Sequence, residues 1–194
     1  MSPARTFYIT LCATLILLAL PLAGTAQELD YNRSQINFVS RQLKVPVEAK
    51  FNRFTAQLSF DAANPQASKA RIEVDLASFD IGNDEINTEI QGRHWFDSRN
   101  FPKATFVSSS VHALGDGRYA ARGPLTIKGR THEVMAPFTV KTDSSGNFVF
   151  DGAFDIRRLQ YNVGEGLWKD TELVADEVRV RFRFYRASKP GPKK

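Results

Sequence analysis

The chain has 194 residues, of which 42% are apolar and 24% are charged, and it carries a net charge of +5. This length suits one domain, without excluding two small ones, and the composition excludes a disordered tail and a membrane bundle. Because the chain has a single cysteine, an internal disulfide framework and a cysteine-based zinc site are also excluded.

Residues 1–26 have the pattern of a secretory signal peptide. Arg5 gives a charged start, an almost unbroken apolar run follows from Phe7 to Leu20, and small residues lead up to Ala26. The run is shorter than the roughly 20 residues that a membrane-spanning helix needs. We therefore predict cleavage after Ala26, a net charge of +4, a periplasmic or secreted location and no transmembrane segment in the mature protein.

Alternation of apolar and polar residues dominates the rest of the chain, as is typical of strands with one face towards water. In the clearest case, residues 178–184, two valines and two phenylalanines alternate with three arginines. Eight strands are predicted, in chain order at Gln35–Gln42, Phe54–Phe60, Ile72–Leu76, Ala104–Val111, Arg118–Lys128, Val134–Val140, Phe148–Ile156 and Val178–Phe184.

Most connections between these strands are short and rich in Gly, Asp, Asn and Ser, which predicts antiparallel hairpins. Two connections are longer. Between residues 82 and 102, Ile86 and Ile90 stand at helical spacing, which predicts a short helix. The other long connection, residues 160–174, contains two glycines and Trp168.

Antiparallel strands hide their sheet edges by closing into a barrel or by forming a sandwich. The Cys-Trp-Cys pattern of an immunoglobulin sandwich is absent, although many sandwiches lack it, so a barrel is favoured. We predict an all-β fold, an eight-stranded antiparallel barrel with one short helix, over residues 27–187, followed by a disordered basic tail at 188–194. Eight strands enclose space that side chains can fill or that one small ligand can occupy. Both interiors stay open at this point.

A set of short motifs lies in order along residues 29–186. They are Ser34–Ser40, Phe51–Phe54 with Phe60–Asp61, Phe96–Phe106, Gly123–Gly129 and Thr131–Val134. Together they resemble the YceI-like family of exported, lipocalin-like proteins, whose members bind polyisoprenoids or other long-chain amphiphilic lipids. The resemblance implies a lipocalin-like barrel that carries a long-chain isoprenoid or fatty lipid in its interior.

The candidate ligand contacts are apolar side chains that the strand phase directs into the barrel, and two tryptophans in the long connections at its mouth. Burial of about ten methylene groups at ~0.8 kcal/mol each gives ~8 kcal/mol before ordering costs, so useful affinity needs no catalytic group. For each side chain, core packing is an equal alternative. The candidates are Phe38, Phe54, Leu58, Phe106, Phe138, Phe150, Phe154, Phe182, Trp95 and Trp168.

Patterns of catalytic and metal-binding residues are not found in the sequence. The three histidines do not stand at the spacing of a metal pair, and no Gly-x-Ser-x-Gly motif is present. We therefore expect no enzyme activity, no cofactor, no metal and no nucleic-acid partner, while self-association into a homodimer stays open. Basic candidates for contact with a phosphate headgroup are Arg93, Arg157, Arg158 and Lys169.

Two other functions agree with the same residues. A barrel filled by its own side chains could act through its surface as a stress-related interaction protein. A barrel that holds a lipid could also modify it, as a hydrolase or isomerase.

Overall fold

A computed structural model of the chain describes residues 29–186. The predicted signal peptide and the predicted basic tail lie outside the described residues. The elements are β1 Gln35–Gln42, β2 Val45–Phe51, β3 Phe54–Ser59, β4 Lys69–Asp75, β5 Phe79–Asp80, α1 Asp84–Gln91, β6 Lys103–Val107, β7 Ser110–Gly115, β8 Arg118–Ile127, β9 Arg130–Thr142, β10 Phe148–Arg157 and β11 Glu177–Arg186. Within residues 29–186, no helix has the length and apolar character needed to cross a bilayer.

One antiparallel sheet contains all of these strands, and it curls into a half-barrel. Its strands follow the order β3-β4-β6-β8-β9-β10-β11-β1-β2-β5, and β7 pairs with β8. Although β2 and β3 are consecutive in the chain, they lie at opposite ends of this order. Phe54 of the end strand β3 packs on Phe184 of the inner strand β11, with ring centroids 5.8 Å apart. The sheet therefore surrounds one interior.

The all-β class, the antiparallel pairing and the short helix are confirmed, whereas the strand number of eight is corrected to eleven. β2 and β5 were not predicted. The strand predicted at 104–111 is divided into β6 and β7, because the amides of Ser108 and Ser109 bond to different neighbours, Ala70 and Arg122.

The helix α1 begins and ends where its sequence provides caps. The Asn83 side chain accepts a hydrogen bond from the amide of Ile86 at 3.0 Å, and Asp84 and Glu85 occupy the first turn. Gly92 follows the last helical residue, and its amide bonds to Glu89. This short helix lies over one end of the curled sheet.

Gly152 lets β9 and β10 approach and then separate. β9 and β10 pair as far as Phe138 and Gly152, after which β10 continues beside β11 alone. A Cβ atom at position 152 would lie 2.5 Å from the Pro137 carbonyl oxygen and from the Phe182 ring. Past this point the 3-10 helix Arg158–Tyr161 contacts β9, where His132 Nε2 lies 3.0 Å from the Gln160 carbonyl oxygen.

We predict that Gly152→Ala lowers the free energy of unfolding by about 1–3 kcal/mol, because the added methyl group overlaps backbone that cannot withdraw. Chemical denaturation measures the effect. The matched control is Ala153→Val on the outer groove of the same strand, which should change stability by no more than about 0.5 kcal/mol. Equal stability of the Gly152 variant and the wild type would contradict the packing described here.

Candidate functional site

The half-barrel encloses a cavity of about 810 Å³ at the end that carries α1. We call this space the wide chamber. Its volume falls within the roughly 300–1,000 Å³ range of small-molecule sites in proteins. Its wall is mainly apolar and includes Phe38, Phe51, Leu76, Phe79, Ile127, Ile156 and Val178, with α1 and residues 158–176 beside it.

A second space, the narrow chamber, has about 130 Å³ and adjoins the wide chamber further along the barrel. It lies beneath the hairpin of β3 and β4, and phenylalanines from four strands, together with Phe60 just after β3, form much of its wall. Residues that border both chambers show that the two spaces are neighbours. These shared residues are Ile36, Val74, Ala104, Leu125, Phe154 and Val180.

Nine of the ten candidate ligand contacts border a chamber. Phe38, Trp95 and Trp168 line the wide chamber, Phe154 lines both, and the narrow chamber is lined by Leu58, Phe106, Phe138, Phe150 and Phe182. Phe54 borders neither chamber and packs instead against Tyr31 and Phe184. Contact between these side chains and a ligand stays a prediction.

The connection between β10 and β11 forms one side of the wide chamber, and we call residues 158–176 the cover. Arg158 holds the cover together from inside. Its buried guanidinium uses all five of its N–H donors on backbone carbonyl groups. The acceptors are Val163, Gly164, Trp168, Val174 and Ala175, at 2.6–3.2 Å.

Burial lowers the pKa of Arg158, and the nearby charge of Asp176 opposes that shift. The guanidinium carbon also lies 5.7 Å from the ring centroid of Trp95. Because its N–H donors are already engaged, Arg158 has none left for a headgroup. The other three basic candidates for a headgroup contact, Arg93, Arg157 and Lys169, are exposed.

A second buried cation, Lys128, joins the cover to the segment after α1. Lys128 lies in the turn between β8 and β9, and its Nζ donates to the Arg93 and Asn162 carbonyl oxygens and to the Glu165 carboxylate at 2.8–2.9 Å. The bond from Lys128 lowers the pKa of Glu165. The two long connections are thus fastened to each other.

The two tryptophans meet where these connections join. Trp95 is buried, Trp168 is half-buried, and their ring centroids lie 5.4 Å apart at a tilted angle. Both rings border the wide chamber. Their prediction as residues at the barrel mouth rested only on their positions in the long connections. The structure adds that they pack on each other.

The histidines lie apart from one another in the structure. His94 and His112 are exposed, and His132 packs edge-on against Tyr161 with centroids 5.0 Å apart. Burial raises the pKa of Tyr161 to about 12. Among residues 29–186, no cluster of three or more His, Cys, Asp or Glu side chains could hold a metal ion.

A model of the YceI-like domain matches residues 27–185. The chain belongs to the YceI-like family. Among curated relatives, a UPF0312 protein of Shewanella oneidensis is 39% identical over 100 residues, which cover 52% of this chain and 50% of that protein. A UPF0312 protein of Vibrio parahaemolyticus is 31% identical over 144 residues, which cover 71% of this chain and 74% of that protein. The chain thus matches half the length of the Shewanella relative.

Solved structures share the curled sheet of this YceI-like protein. Burkholderia cenocepacia BcnA is 41% identical, with a TM-score of 0.79 over 83% of this chain and 100% of that one. A polyisoprenoid binding domain from Saccharophagus degradans, implicated in plant cell wall breakdown, is 19% identical, with a TM-score of 0.65 over 84% of this chain and 99% of that one. Because the Saccharophagus domain is only 19% identical, its similarity to this chain shows a shared fold and nothing more.

We predict that Arg158→Met destabilises the protein by on the order of 3–5 kcal/mol, because five buried carbonyl groups lose their donors. Arg157→Met is the matched control, since that neighbouring side chain is exposed and should change stability by no more than about 0.5 kcal/mol. Thermal denaturation measures both. Faster amide exchange in residues 158–176 of the Arg158 variant would locate the effect, and equal stability of the two variants would contradict it.

The bond between Lys128 and Glu165 predicts a dependence of stability on pH. Because the pKa of Glu165 is lowered in the folded protein, its contribution is complete above its ordinary value of 4.5 and is lost as the pH falls through the lowered value. Glu165→Gln should therefore lower the melting temperature at neutral pH, and the difference from wild type should shrink as the pH falls below 4.5. A difference that stays constant with pH would refute this account.

Proposed function

We propose that this YceI-like protein binds a polyisoprenoid or another long-chain amphiphilic lipid in its two adjoining chambers and carries it in the periplasm or outside the cell. The observation that supports the proposal most strongly is a mainly apolar cavity of about 810 Å³ that adjoins a second apolar space. A long hydrocarbon chain gains about 0.8 kcal/mol for each methylene group transferred from water into such a space.

The two chambers differ in a way that suits an amphiphile. The narrow chamber is lined by Phe106, Phe138, Phe150 and other apolar side chains, which fit a hydrocarbon tail. The wall of the wide chamber also includes polar residues, among them Ser40, Gln42 and Glu89. We infer that the tail points towards the narrow chamber and the polar group towards α1 and the cover.

The mechanism that we propose is sequestration of apolar surface without chemical change. Arg158 and Lys128, two buried cations near the wide chamber, are engaged with backbone carbonyl groups and, for Lys128, also with the Glu165 carboxylate. The alternative of a barrel filled by its own side chains agrees less well with a cavity of about 810 Å³. The polyisoprenoid binding domain from Saccharophagus supports the choice of ligand class by its shared fold.

Export is the part of the proposal that depends on residues 1–26, which lie outside the described residues. Their charged start, apolar run and small residues support a signal peptide. Export would place the carrier where isoprenoid lipids leave or reach membranes. Mass measurement of the protein recovered from a bacterial periplasm tests cleavage after Ala26, and recovery of the uncleaved chain in the cytoplasm would contradict export.

Ligand binding is tested by native mass spectrometry of the purified protein, followed by organic extraction. We expect a co-purified long-chain lipid, or uptake of added geranylgeraniol with a one-to-one mass shift. Repeated absence of both would overturn the proposal. Turnover of the bound lipid into a new product would instead favour an enzyme.

A variant that fills the wide chamber provides the sharpest test of where the lipid binds. Ile156 lines that chamber, so Ile156→Trp should occupy lipid space and weaken geranylgeraniol binding by about tenfold or more, equivalent to roughly two methylene contacts. Asp155→Trp, on the exposed outer face of the same strand, should bind as wild type does. Equal binding by both variants, with unchanged melting temperatures, would contradict binding in this chamber.

A further inference from the structure

Large apolar side chains are exposed unevenly over the described part of the molecule. Nine such residues are exposed within residues 29–186. Four of them are spread over other elements: Tyr31, Val107, Leu114 and Met135. The other five lie on three segments around the mouth of the wide chamber, namely the turn between β1 and β2 with the first residue of β2, then α1, and the cover. These five, which we call the apolar rim, are Leu43, Val45, Ile86, Leu167 and Leu173.

Backbone contacts place the turn and the cover side by side. The Leu43 amide donates to the Leu173 carbonyl oxygen at 2.9 Å. Gln42 and Val174 form an isolated antiparallel β-bridge, and both of these residues line the chamber. Ile86 lines the chamber while 43% of it is exposed. The rim therefore continues the apolar inner wall past the mouth and into solvent.

The turn between β1 and β2 has an unfavourable backbone conformation, and it also exposes an apolar side chain to water. Leu43 and Lys44 have φ values of 49° and 68°, a left-handed conformation that hairpin turns usually assign to Asn and Gly. Leu43 is also 64% exposed. A residue that is strained in its backbone and apolar in water indicates a function outside the fold itself.

We propose that the apolar rim docks the mouth of the barrel on the surface of a lipid bilayer, so that a lipid passes between bilayer and chamber without crossing water. This inference rests on the proposed function and adds the surface from which the lipid is taken. Leu167, which is 86% exposed, and Leu43 would enter the bilayer interface first.

A bilayer fits this rim better than a folded protein partner does. The rim consists of separate tips around an opening, and fluid lipid accepts such tips without matching their shape, because the hydrophobic effect is not directional. The charges near the rim have both signs. Lys44 Nζ lies 3.9 Å from Glu172 Oε2, and Lys169 is exposed. The helix α1 adds three acidic residues, Asp84, Glu85 and Glu89. Docking should therefore depend on apolar insertion and should not require anionic lipid.

The test measures co-flotation of the purified protein with phosphatidylcholine vesicles that contain geranylgeraniol. We expect the double variant Leu43→Asn, Leu167→Asn to lose vesicle binding by about tenfold or more, since two leucines no longer insert. Asn tolerates the left-handed turn, so the variant should keep the wild-type melting temperature. The matched control, Leu114→Asn with Met135→Asn, removes two exposed apolar side chains elsewhere and should float as wild type does.

A second measurement separates this inference from the proposed function. Geranylgeraniol supplied from a cyclodextrin complex should be taken up equally by the wild type and the rim variant, whereas transfer from vesicles should slow only in the rim variant. Equal flotation of the wild type and the rim variant would overturn docking through the rim. Flotation that requires phosphatidylglycerol would overturn apolar insertion as its driving force, and a rim that joins two copies of the chain in sedimentation experiments would overturn the bilayer as its occupant. Failure of wild-type uptake from both sources would overturn the proposed function itself.

Discussion

The buried guanidinium of Arg158 is the interaction on which the rest of the site depends. A cation without water is costly unless its donors are satisfied, and here five carbonyl groups from the cover satisfy them. Those carbonyl groups belong to a segment with little regular structure, which would otherwise leave them unpaired beside an apolar chamber. Charge and backbone therefore stabilise each other, and the cover keeps one shape.

The same principle acts a second time through Lys128, so that a large interior can persist beneath irregular chain. Lys128 binds carbonyl oxygens from both long connections and the carboxylate of Glu165. The contact between Trp95 and Trp168 lies between the two fastened segments. An apolar space of this size tends to collapse when its walls are free to move. Sheet hydrogen bonds on one side and two buried cations on the other hold these walls apart.

The sequence predicted those elements whose structure follows from the pattern of residues close together in the chain. Val178 to Phe184 alternates with period two because one side of β11 faces water, and α1 was predicted from the helical spacing of Ile86 and Ile90. β2 was missed although its apolar residues alternate, since Pro46 weakens the pattern of a strand. β5 has only two residues, too few for any period. The half-barrel and its order of strands depend on pairing across long distances in the chain.

The residues of the site could be predicted only where the alternation along a strand determines which face of the sheet a side chain lies on. Strand phase directs Phe54 and Phe154 inward alike. Phe54, on the end strand β3, packs against Tyr31 and Phe184, while Phe154 borders both chambers. Nor does composition distinguish Arg157 from Arg158, of which one is solvated and the other buried. Their difference arises because β10 ends there and the chain turns inward, so the second arginine meets carbonyl groups instead of water. Burial at the end of a strand is thus a property of the closed fold, and it determines which polar groups remain available to a ligand.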